Sequence, residues 1–148
     1  MPMRRSPAAP PAFTLLELVI VLMIIGLLSI IAVREVGHYL DRIATRSAVA
    51  EAAEVIQQAR DEALARHAMV SVRIDTAHAE LALRERGIAL AVHALGHAHR
   101  VTLSTTRDSL AFDVRGLGYG ASNLTLIARR GHAAETLVVS RLGRVRVR

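Results

Sequence analysis

Phe13-Thr14-Leu15-Leu16-Glu17-Leu18-Val19-Ile20-Val21-Leu22-Met23-Ile24-Ile25-Gly26-Leu27-Leu28-Ser29-Ile30-Ile31-Ala32-Val33 is an apolar run carrying one carboxylate, four residues from its start. At about 1.5 Å of rise per residue, these residues as a helix cover roughly the 30 Å hydrocarbon core of a bilayer. The twelve residues before them, MPMRRSPAAPPA, are basic and rich in Pro and Ala, a composition that forms no stable helix. A secretory signal peptide has a shorter apolar stretch of about 7–15 residues and a small-residue cleavage site behind it. No clear site of that kind follows here. A plain membrane anchor fits the length but leaves Glu17 unexplained. A carboxylate in that setting costs on the order of 3 kcal/mol on insertion scales, so it needs a partner. A chain cut between Ala12 and Phe13 would supply one: the new α-amine can meet Glu17 of a neighbouring subunit, and each neutralises the other in a low-dielectric layer.

Ala12-Phe13-Thr14-Leu15-Leu16-Glu17 and the run behind it resemble the type IV prepilin signature. The resemblance implies cleavage by a prepilin peptidase before Phe13, N-methylation of Phe13, and use of Glu17 to register subunits during filament assembly. It also implies a single-pass anchor in a bacterial inner membrane, with the remainder of the chain in the periplasm. Two features depart from the pattern. Ala12 stands where the family usually has Gly, and no Pro interrupts the end of the apolar run, so no proline-driven melting of the helix is expected.

Residues 34–67 read as a continuation of the same helix. Val36, Leu40 and Ile43 begin an apolar stripe, and Ala48, Ala52, Ile56, Ala59 and Ala63 extend it. Arg42, Glu51, Glu54, Arg60 and Asp61 occupy the other side. The stripe predicts burial against a small domain along its whole length. After His67 the apolar period changes to two, and strands are expected at residues 69–74, 80–84, 88–93, 100–103, 109–114, 123–128, 135–140 and 144–147. Glycines punctuate them. One long helix followed by many short strands predicts an α+β fold, with an antiparallel sheet or sandwich. The resulting organisation is a leader (1–12), a membrane or filament-core helix (13–33), an amphipathic stem (34–67) and a β domain (68–148).

Composition narrows the chemistry. The chain has 148 residues, no cysteine and 3% aromatics, which excludes disulfides, thiolate metal sites and cysteine nucleophiles. Eleven Arg balance eleven acids between Arg34 and Ala128, whereas six Arg face Glu135 alone from Arg129 onward. The basicity is therefore C-terminal. In Gly143-Arg144-Val145-Arg146-Val147-Arg148 the alternation predicts a strand with Arg144, Arg146 and Arg148 on one face and Val145 and Val147 packed inward. Such a row of guanidinium groups suits successive phosphates of DNA. It equally suits an edge strand whose charge prevents edge-to-edge pairing.

His93, His97 and His99, with His132, are the only candidates for a zinc site, and a polar loop accounts for them better. Asp113 beside the glycines at 116, 118 and 120 lacks the six to eight oxygen ligands calcium takes, so a plain turn is expected. No metal site and no cofactor are assigned. No nucleophile, base and orienting acid form a local signature, and there is no phosphate-binding glycine loop. No enzyme activity is expected.

The stretches Ala59-Arg60-Asp61-Glu62-Ala63-Leu64-Ala65-Arg66, Phe112-Asp113-Val114-Arg115-Gly116 and Leu137-Val138-Val139-Ser140-Arg141-Leu142-Gly143-Arg144-Val145-Arg146 are similar to the GspH/FimT group of prepilin-like proteins. Within that group the resemblance implies one of two roles. One is a minor pseudopilin of a type II secretion system, whose partners would be other pseudopilins and secreted cargo. The other is a minor pilin that binds DNA through its C-terminal Arg strand.

Overall fold

The computed structural model describes residues 13–120 and 123–147. The leader, with Ala12, and the terminal Arg148 lie outside the described residues. The chain divides into two compact units, Met1–Val36 and Gly37–Arg148.

A single helix, α1 (Leu15–Arg66), belongs to both units. No Pro occurs in it, and its residues are mostly Leu, Ile, Val, Ala, Glu and Arg, whose helical conformation costs little. Thr14 caps it: its hydroxyl oxygen accepts the Glu17 amide at 3.2 Å. Past Arg66, His67 takes the left-handed conformation at φ 49°, and the Ala68 amide turns back to the Ala63 carbonyl at 3.3 Å. In the first unit every described residue is exposed. Its apolar segment is long and apolar enough to cross a membrane.

Among its described residues the second unit holds eight strands, all antiparallel. They are β1 (Val70–Asp75), β2 (Glu80–Glu85), β3 (Ile88–Ala94), β4 (Thr102–Thr105), β5 (Ser109–Phe112), β6 (Leu124–Arg130), β7 (Ala133–Val139) and β8 (Val145–Val147). They form two four-stranded sheets, ordered β3-β2-β1-β5 and β4-β6-β7-β8. Each strand expected from the period-two pattern is present, with ends displaced by two residues at most. A one-turn helix, α2 (Leu95–His99), stands where the sequence suggested only a polar loop.

The core joins α1 to both sheets. Ala48, Val49, Ala52, Val55, Ile56, Ala59 and Ala63 of the helix meet Val72, Leu81, Leu83, Leu110 and Phe112 of one sheet. From the other come Leu103, Leu124, Leu126, Leu137 and Val139. Small Ala side chains let the helix backbone approach the sheets closely, and the aliphatic residues opposite fill the space. Thr45 is the one buried polar residue in the described core. Its hydroxyl donates to the Asp41 and Arg42 carbonyls at 3.1 and 3.0 Å, so its burial leaves nothing unsatisfied.

One expectation for the stem is corrected. Val36, Leu40 and Ile43 are exposed, and continuous burial begins only at Ala44. Within the second unit the sheets leave Leu40 and Ile43 uncovered. A polar turn between β6 and β7 meets the helix instead: Arg130 pairs with Asp41 at 3.0 Å, and the His132 ring lies 5.5 Å from that of His38. Gly131 makes this contact possible. Its φ is +54°, and a Cβ there would collide with the Asp41 carboxylate. Gly131→Ala should therefore destabilise the second unit by about 1–2 kcal/mol, the cost of a left-handed non-glycine residue, with further loss where Asp41 is displaced. Chemical denaturation of residues 37–148 checks this, and a midpoint within error of the parent would show that the turn is not held.

Candidate assembly and nucleic-acid surfaces

Phe13 and Glu17, the residues assigned by resemblance to processing and assembly, sit at the start of α1 with their side chains exposed. Thr14 and Glu17 also stand in the Thr-x-x-Glu arrangement of a capping box, of which the Thr14 half is formed. An acid in the first turn also complements the helix dipole. These local roles were legible in the spacing, and the sequence reading missed them. They satisfy the backbone but leave the carboxylate without a cation among the described residues.

At the other end of the chain, the hairpin joining β7 to β8 is built around Ser140 and Gly143. The Ser140 amide donates to the Arg144 carbonyl at 2.9 Å, and the Gly143 amide donates to the Ser140 carbonyl at 2.9 Å. The Ser140 hydroxyl accepts the Arg144 amide at 3.2 Å. Gly143 has φ +74°, and a Cβ there would stand 3.2 Å from the Phe112 ring. Gly143 is thus favoured by its left-handed backbone and by its close approach to Phe112.

Arg144 and Arg146 are both exposed, and neither forms an ion pair among the described residues. They border a shallow cleft with Val138, Ser140 and Leu142. The expected alternation holds in part. Val145 packs on the core, but Val147 is 52% exposed, although it pairs with Leu137 of β7, because β8 is the edge strand and has a neighbour on one side only. The surface has two cationic forks beside an apolar floor, which permits phosphate binding and equally disfavours edge pairing.

The histidines divide. Glu51 of α1 reaches His93 Nδ1 on β3 at 3.4 Å and His99 Nε2 on α2 at 2.7 Å. His97 is exposed, and His132 lies beside His38. Among the described residues, no three His, Asp or Glu side chains converge as a metal centre requires. Glu51 instead ties β3 and α2 to the helix. It is more than forty residues from both histidines in sequence, and no local signal reveals the pairing.

Asp113 closes a turn. One carboxylate oxygen accepts the Leu117 and Arg115 amides, both at 2.9 Å. The other accepts the Arg115 guanidinium at 3.1 and 3.0 Å. The Leu117 amide, aided by Arg115, holds this carboxyl below the usual carboxylate range. A carboxylate with a depressed folded pKa stabilises the fold above its unfolded pKa of about 3.9, and this support is lost as pH falls through the folded value. Below about pH 4 the parent should therefore lose thermal stability that Asp113→Asn has already lost. Melting curves from pH 7 to pH 2.5 would show the two converging; parallel curves would refute the assignment.

No protein-family model and no curated protein matches the sequence. Solved structures do match the fold. The type IV minor pilin FimU of Pseudomonas aeruginosa aligns with a TM-score of 0.61 at 20% identity, over 74% of this chain and 92% of FimU. A second crystal form of FimU gives 0.57 at 19%, covering 70% and 91%. The minor pseudopilin EpsH from the type 2 secretion system of Vibrio cholerae gives 0.57 at 14%, covering 70% and 94%. With its long N-terminal helix carrying an apolar stretch and its antiparallel sheets, this chain has the pilin-like fold of these minor pilin and minor pseudopilin structures.

Proposed function

We propose that this chain is a minor subunit of a type IV pilin-like filament, and within that class a minor pseudopilin of a type II secretion system. The observation that carries the filament reading is Glu17, an exposed acid in the first turn of an apolar helix, four residues after Phe13. Cleavage between Ala12 and Phe13 leaves an α-amine that pairs with Glu17 of the adjacent subunit, while the apolar helices pack side by side. The β domain then contacts other minor subunits or secreted cargo. Before assembly the protein is anchored in the inner membrane with its second unit in the periplasm. The likeness to EpsH supports the secretion role.

Intact-mass analysis of protein extracted from a strain with active prepilin peptidase tests the foundation. The expected product lacks residues 1–12 and carries one added methyl. Retention of Met1 to Ala12 would overturn the reading.

A second reading rests on the exposed, unpaired Arg144 and Arg146 and on the likeness to FimU. It makes the chain a minor pilin of a type IV pilus that binds DNA through its last strand, Arg148 included. If so, residues 37–148 shift duplex DNA in a gel at low salt, and the affinity falls steeply as salt rises. Arg144→Ala with Arg146→Ala would remove the shift. No shift at low salt, or one indifferent to those substitutions, eliminates this reading.

A further inference from the structure

The helix face left uncovered by the sheets carries a second pattern. Within the second unit, Tyr39, Arg42, Ile43 and Arg46 recur at i, i+3, i+4 and i+7, which places them on one side of α1. With Glu135 they line a cleft of about 340 Å³. Tyr39 is 63% exposed, Ile43 is 43% exposed, and neighbouring Leu40 is 51% exposed. Aromatic and aliphatic residues so open on a helix with a well-formed core elsewhere indicate a surface that is covered in use.

The charges indicate what covers it. Arg42 forms no ion pair among the described residues. Arg46 reaches Glu135 at 3.2 Å, but its side chain stays 77% exposed. The nearby acid Asp41 is already taken by Arg130. Two guanidinium groups therefore face outward with one carboxylate between them. An aromatic ring with a polar tip, aliphatic side chains and arginines on one helix face is the composition of a segment lying in the headgroup layer of a membrane. Chain connectivity agrees. Five residues separate Val33, the end of the apolar run, from Tyr39, and on the continuous helix α1 this is a rise of about 9 Å.

We infer that this face docks on the membrane surface and binds anionic phospholipid headgroups. The guanidinium groups of Arg42 and Arg46 hold the phosphate, and Tyr39, Leu40 and Ile43 enter the headgroup–acyl boundary. The inference rests on the membrane-anchor part of the proposed function. It concerns the protein before incorporation into a filament, when lipid rather than a neighbouring subunit lies against this helix.

The test uses the full chain in nanodiscs of phosphatidylcholine alone or mixed with phosphatidylglycerol. Hydrogen exchange over residues 37–46 should be markedly slower in the mixed discs. Native mass spectrometry should show phosphatidylglycerol retained over phosphatidylcholine by about tenfold, the effect of one to two arginines near an anionic surface. Arg42→Gln with Arg46→Gln should abolish both effects; the side chains are exposed, so the melting temperature should not change. Glu135→Gln, which frees Arg46, should strengthen them. Equal protection in the two discs, or protection indifferent to the arginines, overturns the inference. Protection that grows with the number of chains per disc overturns it too, because a second copy is then the occupant. Protein recovered outside the discs in every lipid would remove the anchor reading as well, and this outcome is read separately from local exchange.

Discussion

Replacing Glu17 with Ala should leave the second unit folded and abolish incorporation into filaments. Residues 37–148 contain every side chain of the hydrophobic core cluster, so nothing that stabilises them depends on position 17. The loss falls on assembly. A subunit inserted beside its neighbours without Glu17 would leave the adjacent α-amine charged and unpaired in a low-dielectric layer. Removing one partner of a buried pair costs on the order of 3–5 kcal/mol, enough to reduce incorporation by more than a hundredfold. Glu17→Gln separates the proposed assembly role from the local one. It keeps a capping-box side chain at the third helical position but removes the charge, so it should assemble as poorly as the Ala variant. Crosslinking of neighbouring subunits in isolated membranes, followed by immunoblotting, would measure this. Wild-type incorporation of the Gln variant would reduce Glu17 to a helix cap.

Phe112→Ala should lower the unfolding free energy of residues 37–148 by about 3–5 kcal/mol. Phe112 is 1% exposed and is the largest fully buried side chain. It ends β5 opposite Val70 of β1, and its ring lies against Gly143 of the β7–β8 hairpin. The cavity left by the ring would therefore open between the two sheets' contributions to the core. The hairpin holding Arg144 would lose its floor at the same time, so urea denaturation is best read together with hydrogen exchange of residues 140–146. A loss under 1 kcal/mol would show that the hairpin collapses into the space.

Tyr119→Ala provides the contrast. That ring is exposed, and its removal should change stability by no more than about 0.5 kcal/mol.

Much of the architecture was legible because two periods carry it. The long apolar helix announces itself by length, and the alternation of Val70, Val72 and Ile74 or of Leu124, Leu126 and Ala128 gives the strands directly. Buried faces of short strands must repeat every second residue. The stem was read less well. Val36, Leu40 and Ile43 lie at helical spacing with the buried Ala residues, and spacing cannot tell where a covering sheet stops. Glu51 shows the same limit for a site: its histidines come from β3 and α2, and no sequence interval encodes a contact made across the core.

The C-terminal arginines show how far one strand can be read from its pattern. Alternation placed Val145 inward and Arg146 outward correctly, because pleating alone decides that. It failed for Val147, which pairs with Leu137 but lies on the sheet's edge strand and stays exposed.

The sequence by itself determined the single carboxylate in the apolar helix, the α+β class and the number of strands, since each follows from local composition or period. Only the tertiary structure decided how eight strands divide between two sheets. Only it placed Gly131 and Gly143 at positive φ with Asp41 and Phe112 crowding the Cβ position, and left Tyr39, Arg42, Ile43 and Arg46 on an open face. Those outcomes depend on which distant backbones approach one another, and close packing between them is set by the whole core rather than by any one segment.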